Sequence, residues 1–326
     1  MNKSPTAGSA KNEGRPFNAG AFAREYGVLV IIAALLIGLS LVSDSFLTVR
    51  NLLNIVNQSA PLMIIACALT LVIIGGGFDL STGAIFGVAA VSSGWIATQV
   101  DPYVAILAGP LIGLALGAVN GLIITTFNVH SFLVTLATSL VYRGIAILIT
   151  GGSLIPVRIE AFSWLGRGRI GMVNVAVIVV IVFMIMIMMV VLLNRTTFGR
   201  KVFAVGGNEE AAILSGIRTN LVKIITFTLS GGAAGLAGVI TVSRLSMAEP
   251  QAGAGLELEA IAAVILGGTA ITGGAGAIWR SIAGVLLMAL IGNGFNILNV
   301  NPFFKDLTTG VIIVIAVALA ASNSRR

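Results

Sequence analysis

Residues 199–223 read G-R-K-V-F-A-V-G-G-N-E-E-A-A-I-L-S-G-I-R-T-N-L-V-K, between two long apolar runs at 173–193 and 221–242. A bilayer core takes a run of about 20 apolar residues and disfavours charge. The segment is therefore a loop between two membrane spans. With Arg195 just ahead, it holds Arg200, Lys201, Arg218 and Lys223 against Glu209 and Glu210. Short loops rich in Lys and Arg stay in the cytoplasm. The loop, taken as 194–223, also carries a helix signal. Asn208 suits the N-cap, Glu209 and Glu210 suit the positive end of the helix dipole, and Gly216 suits the C-terminal stop. About two turns with Ala211, Ile213 and Leu214 partly exposed are a poor isolated helix. Two readings follow: an ordinary loop with an interfacial helix, or a helix that a partner covers.

Working outward, the composition sets the class. The 326 residues are 57% hydrophobic and 10% charged, with a mean hydropathy of +1.05. Soluble domains carry about 25% charged residues. The chain reads as an all-α polytopic membrane protein. Its formal charge of +7 lies mostly in tails and loops, where it orients spans rather than binding nucleic acid. Cys67 sits in an apolar run as a packing residue, and His130 lies in a short connection. Neither belongs to a metal-ligating set, so no metal is expected.

About ten transmembrane helices are expected, at 26–42, 56–74, 80–99, 103–126, 132–150, 173–193, 221–242, 258–271, 278–298 and 305–321. The eighth is short and Gly-rich and suits a broken or re-entrant element. Residues 1–25 read as a disordered tail and 26–322 as one transmembrane domain. Lys3, Lys11, Arg15 and Arg24 place the N-terminus in the cytoplasm, and Arg325-Arg326 place the C-terminus there. Residues 151–172 break the charge rule, since they face outward yet hold Arg158, Arg167 and Arg169 against Glu160. Either neighbouring spans overrule them, or this face docks an acidic partner, joined by Arg244, Lys305 and Arg50. An inverted repeat is also expected. G-F-D-L-S at 77–81 pairs with G-L-E-L-E at 255–259, N-G at 120–121 with N-G at 293–294, and N-V-H-S-F at 128–132 with N-V-N-P-F at 299–303. The halves would be about 56–150 and 221–321, an architecture suited to alternating access.

No nucleophile–His–acid set is visible, and no lysine follows a glycine, which excludes a P-loop. Asp79 stands out. It either caps the span that follows, helped by Ser81 and Thr82, or serves a pathway as a buried acid. Asn54, Asn57 and Gln58 precede or open the second span as candidate outer-pathway residues. Thr135 and Thr138 lie on one side of the fifth, either on the pathway or bonding helix to helix.

Five stretches carry a family resemblance: G-G-N-E-E-A-A-I-L-S-G-I at 206–217, I-G-G-G-F-D-L-S-T-G at 74–83, N-G at 120–121, A-I-A-A-V-I-L-G-G-T at 260–269 and G-G-A-G at 273–276. The chain resembles the permeases of ribose-, xylose- and arabinose-type ABC importers over about 52–320. The resemblance implies import of a pentose or similar sugar across the inner membrane. It also implies a cytoplasmic ATP-binding subunit, a periplasmic sugar-binding protein and a second permease copy. No cofactor would be held by this chain, since the partner binds ATP. Asn208, Glu209, Glu210, Ala211, Ile213, Leu214, Gly216 and Arg218 would then form the coupling contact, the acids and Arg218 by ion pairs. Arg158, Arg167, Arg169 and Arg244 would receive the binding protein. The alternatives are an ion-coupled secondary transporter, an intramembrane enzyme, or a relative carrying a nucleoside, an autoinducer-type sugar or a branched-chain amino acid.

Overall fold

The computed structural model is almost wholly helical. It describes residues 19–170, 175–301, 304, 307–312 and 314. Most of the expected N-terminal tail, Lys305, most of the last expected span and Arg325-Arg326 lie outside the described residues. In chain order the helices are α1 (Ala19–Val42), α2 (Val49–Ile74), α3 (Thr82–Gln99), α4 (Pro102–Thr126), α5 (Ser131–Thr150), α6 (Glu160–Arg167) and α7 (Val177–Arg195). They continue with α8 (Thr197–Gly207), α9 (Glu209–Leu214), α10 (Thr219–Leu245), α11 (Leu256–Leu266) and α12 (Ile278–Ile297).

Local chemistry sets the helix starts. Thr48 caps α2 by accepting from the Asn51 N–H at 3.3 Å. That start is earlier than expected, so Asn54, expected ahead of the span, lies inside α2 together with Asn57 and Gln58. Asp101 caps α4 through the N–H groups of Tyr103 and Val104, and Pro102 opens the helix where no N–H is needed. His130 Nδ1 accepts from the Phe132 N–H at the start of α5.

Among the described residues six helices are long and apolar enough to cross a bilayer: α2, α4, α5, α7, α10 and α12. The apolar stretch of α1, Gly27–Val42, is shorter. The eighth candidate span, 258–271, read as suiting a broken or re-entrant element, contains the 11-residue α11, which reaches only about 16 Å against the roughly 30 Å of a hydrocarbon core. It is a half-helix, stopped by Gly267-Gly268, with Gly268 at φ +87°.

Helix α2 is central, buried from Ser59 to Ile74 and packed against α7, α10, α11 and α12. Leu107 and Leu111 on α4, Leu140 and Leu148 on α5, and Met184 and Val191 on α7 are exposed. Helices satisfy their own backbones, so such apolar flanks suit lipid. At one end of the bundle, two short antiparallel ladders pin the irregular segments. Ile155–Pro156 (β1) pairs with Met247–Ala248 (β4), and Arg169–Ile170 (β2) pairs with Val175–Ala176 (β3).

Helices α4 and α10 cross at direct backbone contact. Gly109, Gly113, Gly117 and Gly121 recur every four residues on α4, and Gly231 and Gly235 face them from α10. A Cβ on Gly113 would overlap the Gly231 carbonyl, and one on Gly231 would overlap the Gly113 carbonyl. Within lipid no hydrophobic drive holds two helices together, so close backbone approach supplies the attraction. Gly113→Ala is expected to lower stability by about 1–3 kcal/mol, the usual range for overpacking. Gly144→Ala on α5, whose added methyl meets nothing within 4 Å, should be neutral or slightly stabilising. Thermal unfolding of both variants in detergent tests the contrast.

Candidate functional site

The break between α2 and α3 holds a buried polar network. Gly75, Gly76 and Gly77 end α2, with Gly76 at φ +83°, and the chain turns through Phe78, Asp79 and Leu80. Asp79 is fully buried. Its Oδ1 accepts from the Ser81 N–H at 3.0 Å and the Ser81 hydroxyl at 2.5 Å, and its Oδ2 accepts from the Ser230 hydroxyl on α10 at 2.8 Å. Ser81 in turn accepts from Asn120 Nδ2 on α4 at 2.7 Å. Tyr142 on α5 donates to Asn120 Oδ1 at 3.0 Å. One carboxylate thus ties together the turn, α4, α5 and α10.

Asp79 does not cap α3. The N-cap position is Ser81, and its side chain makes no capping bond. Asp79 lies two residues ahead and closes a turn onto Ser81 instead. Thr135 is fully buried, accepts from the Leu80 N–H at 3.1 Å and donates to its own helix at Ser131. It braces the turn rather than lining an open path. Thr138 donates back to the Thr135 carbonyl on its own helix.

Two further charged residues, unmarked by sequence reasoning, stand near this break. Glu257 opens α11, and its Oε2 is buried without a hydrogen-bond partner against Gly83, in the first turn of α3. Arg143 Nη1 donates to the Ala252 carbonyl in the turn before α11 at 3.1 Å. The G-L-E-L-E match to G-F-D-L-S was the available signal for Glu257; Arg143 had none.

Helices α8 and α9 stand at the α2 C-terminal end. Asn208 Oδ1 accepts from the Ala211 N–H at 2.9 Å, and Gly216 follows α9 at φ +79°. Ala212 is buried, whereas Ile213 is 56% and Leu214 90% exposed. Glu209 pairs with Lys223 at 2.5 Å, on the first turns of α10. Its carboxylate is thereby engaged within the chain, whereas Glu210, Ala211 and Arg218 are exposed. A cavity of about 450 Å³ beside this pair is lined by Gly75–Gly77, Asn128, His130 and Thr226.

At the opposite end, Arg158, Glu160, Trp164 and Arg167 line a surface cleft of about 820 Å³. Arg169 is exposed on β2 nearby. Arg244 does not join them. It turns inward, and Nη1 donates to the Asn57 carbonyl at 2.6 Å. The guanidinium faces a separate cavity of about 390 Å³ with Gln58. Asn54 is exposed on α2 outside that lining, while Asn57 has a buried side-chain oxygen without a partner.

Compared with known proteins, residues 51–317 match the family described as branched-chain amino acid transport system / permease component. The chain belongs to this permease family. The ribose import permease of Escherichia coli K12 is 39% identical over 309 residues, 93% of this chain and 96% of that one. The ribose import permease of Bacillus subtilis 168 is 40% identical over 302 residues, 92% and 94% of the two chains. The L-arabinose transport system permease of Escherichia coli K12 is 33% identical over 313 residues, 95% of each. No solved structure matches. The permease is a multi-pass transporter component and not an enzyme.

In the permease, Asp79→Ala would leave one N–H and two hydroxyls of a buried network without their acceptor. A loss on the order of 3 kcal/mol is expected. Thr138→Ala, which breaks only a bond within one helix, should stay within about 0.5 kcal/mol. Thermal unfolding in detergent checks both.

Proposed function

We propose that this chain is the membrane-spanning subunit of a bacterial inner-membrane ABC importer that passes a monosaccharide, a pentose or similar sugar. The observation that carries the reading is near full-length similarity to permeases named for ribose, D-allose and L-arabinose. A cytoplasmic ATP-binding subunit would supply the energy, since the chain has no P-loop of its own. A periplasmic sugar-binding protein would deliver the sugar, and a second copy would complete the pore. Both termini would be cytoplasmic, with the α8–α9 end inside and the cleft of Arg158 and Arg167 outside.

Helix α9 supports this assignment. Asn208 and the Glu209–Lys223 pair fix its position, and Ile213 and Leu214 stand out as bare apolar side chains. They are the anchor for the ATPase, with Glu210 and Arg218 at its rim.

About ten crossings related by an inverted repeat remain the proposed architecture, with α11 as a half-helix. One backbone feature supports the repeat. Asn128 after α4 and Asn299 after α12 occupy matching motif positions, and both are left-handed, at φ +50° and +51°. Each is followed by an N–H bonded five residues back, Val129 to Ile124 and Val300 to Phe295. The repeat exchanges α2 with α10 and α4 with α12, so the contacts α4–α10 and α12–α2 map onto each other.

A second reading, an ion-coupled carrier, is favoured by the buried Asp79 and the unpartnered Glu257 oxygen. Reconstituted vesicles separate the two. Uptake of a labelled monosaccharide should require ATP, the ATPase subunit and the binding protein, and should survive an ionophore. Ile213→Arg with Leu214→Arg removes two apolar anchors, each of which stabilises a contact by about 1.5–3 kcal/mol when buried. Uptake should fall at least about tenfold while the melting temperature holds. Uptake by the permease alone that collapses with an ionophore would establish the carrier instead.

A further inference from the structure

The cavity beside Arg244 is lined by both polar and apolar side chains. It lies between the middle of α2, the last turns of α10, and parts of α3, α11 and α12. At about 390 Å³ it falls near the small end of the roughly 300–1,000 Å³ usual for small-molecule sites. One wall is apolar, with Ile55, Leu62, Phe86, Leu256 and Met288. The rest is polar and mixed in hydrogen-bonding type. Gln58 and Asn296 offer amides, Glu259 a carboxylate and Arg244 a guanidinium. Among the described residues, the Gln58, Glu259 and Asn296 side chains have no hydrogen bond within the chain, and Arg244 commits only Nη1, to the Asn57 carbonyl. Polar groups facing a cavity without protein partners are groups a ligand can satisfy.

We infer that this cavity is the sugar's resting site within the permease, with Gln58, Arg244, Glu259 and Asn296 bonding its hydroxyls. The assignment rests on the monosaccharide reading above and deepens it. A sugar ring carries neighbouring hydroxyls that each donate and accept, which matches a carboxylate, amides and a guanidinium lining one cavity. Its C–H face matches the wall of Phe86, Leu256 and Met288. The charges of Arg244 and Glu259 cancel, so the site attracts neither a simple anion nor a simple cation. A zwitterionic amino acid would use that charge pair too, but it would leave the amides of Gln58 and Asn296 idle.

The position fits delivery from outside. Arg167, on the neighbouring cleft, donates its Nε–H to the Arg244 carbonyl at 2.7 Å. A protein landing on that cleft is thus one residue from the cavity. The Glu209–Lys223 pair lies at the other end of α10, 21 residues and about 32 Å away along the helix axis.

The test uses the complete transporter in vesicles, with labelled pentoses and hexoses offered as sets of epimers, and with labelled leucine as the zwitterion. Glu259→Gln and Gln58→Ala should cut uptake of the preferred sugar at least about tenfold and change the ranking among epimers. A merely structural defect would lower all epimers alike. Glu259→Asp should recover part of the uptake, and melting temperatures in detergent should match the parent. Three results overturn the assignment in distinguishable ways. If the parent imports a monosaccharide and both variants keep its rate and ranking, the cavity is not the site, though the importer reading stands. If the parent imports leucine and Glu259→Gln abolishes that, the cavity takes a zwitterion. If the parent imports no monosaccharide under any condition, both this assignment and the importer reading fall.

Discussion

The approach of α4 to α10 is the constraint on which the rest of this bundle depends. Four glycines on α4 and two on α10 let the backbones come into direct contact. That distance places Ser230, the residue before Gly231, against Asp79 Oδ2. It also sets Asn120, the residue before Gly121, against Ser81. Any side chain at Gly113 or Gly231 would push the helices apart and pull the hydroxyl and the amide away from the turn. Close packing and the buried polar network are therefore one device. The glycines supply proximity, and the network supplies the register that a smooth glycine face cannot.

The same helix links the two ends of the molecule. Lys223 on the first turns of α10 holds Glu209 of α9, while Arg244 on its last turn reaches the Asn57 carbonyl of α2. Because α10 is clamped to α4 along its length, a push at one end is not dissipated by bending in the middle. Such a rod suits a subunit that must relate an event at the α8–α9 segment to a site on its far side.

Much of this was legible in the sequence, and the rest was hidden for identifiable reasons. The α9 cap followed from local chemistry: Asn208, two acids and Gly216 act within a few residues of one another. The half-helix at α11 was foreshadowed by its length and glycines. Arg244 was misplaced because counting Lys and Arg reads charge and side, whereas its partner, the Asn57 carbonyl, lies 187 residues away. Of the two readings of Thr135, the bonding one is what the structure displays, since it ties α5 to Leu80 in the turn between α2 and α3. Asp79 as a cap failed by a register of two residues, because α3 begins after Ser81 rather than after Asp79. The α4–α10 seam was in plain view as glycines every four residues, a signal overlooked in a chain that holds 40 glycines.

The two helix breaks are not independent. The first turn of α3 touches the turn before α11, since a Cβ on Gly83 would overlap both Glu257 Oε2 and the Gly253 carbonyl. At the other end of α11, the returning loop is bound to α2 through the Gly274 N–H, which donates to the Ile74 carbonyl at 2.8 Å. Gly206, at the end of α8, presses on that same carbonyl and on Gly274. The segment proposed to meet the ATPase thus rests on the end of α2 and on the loop leaving α11 at one point. Packed interfaces of this kind have few alternative arrangements and shift as units. A displacement of α8 and α9 cannot move one break and spare the other. In an importer, that shared contact is what would make both helix breaks answer to a single stroke.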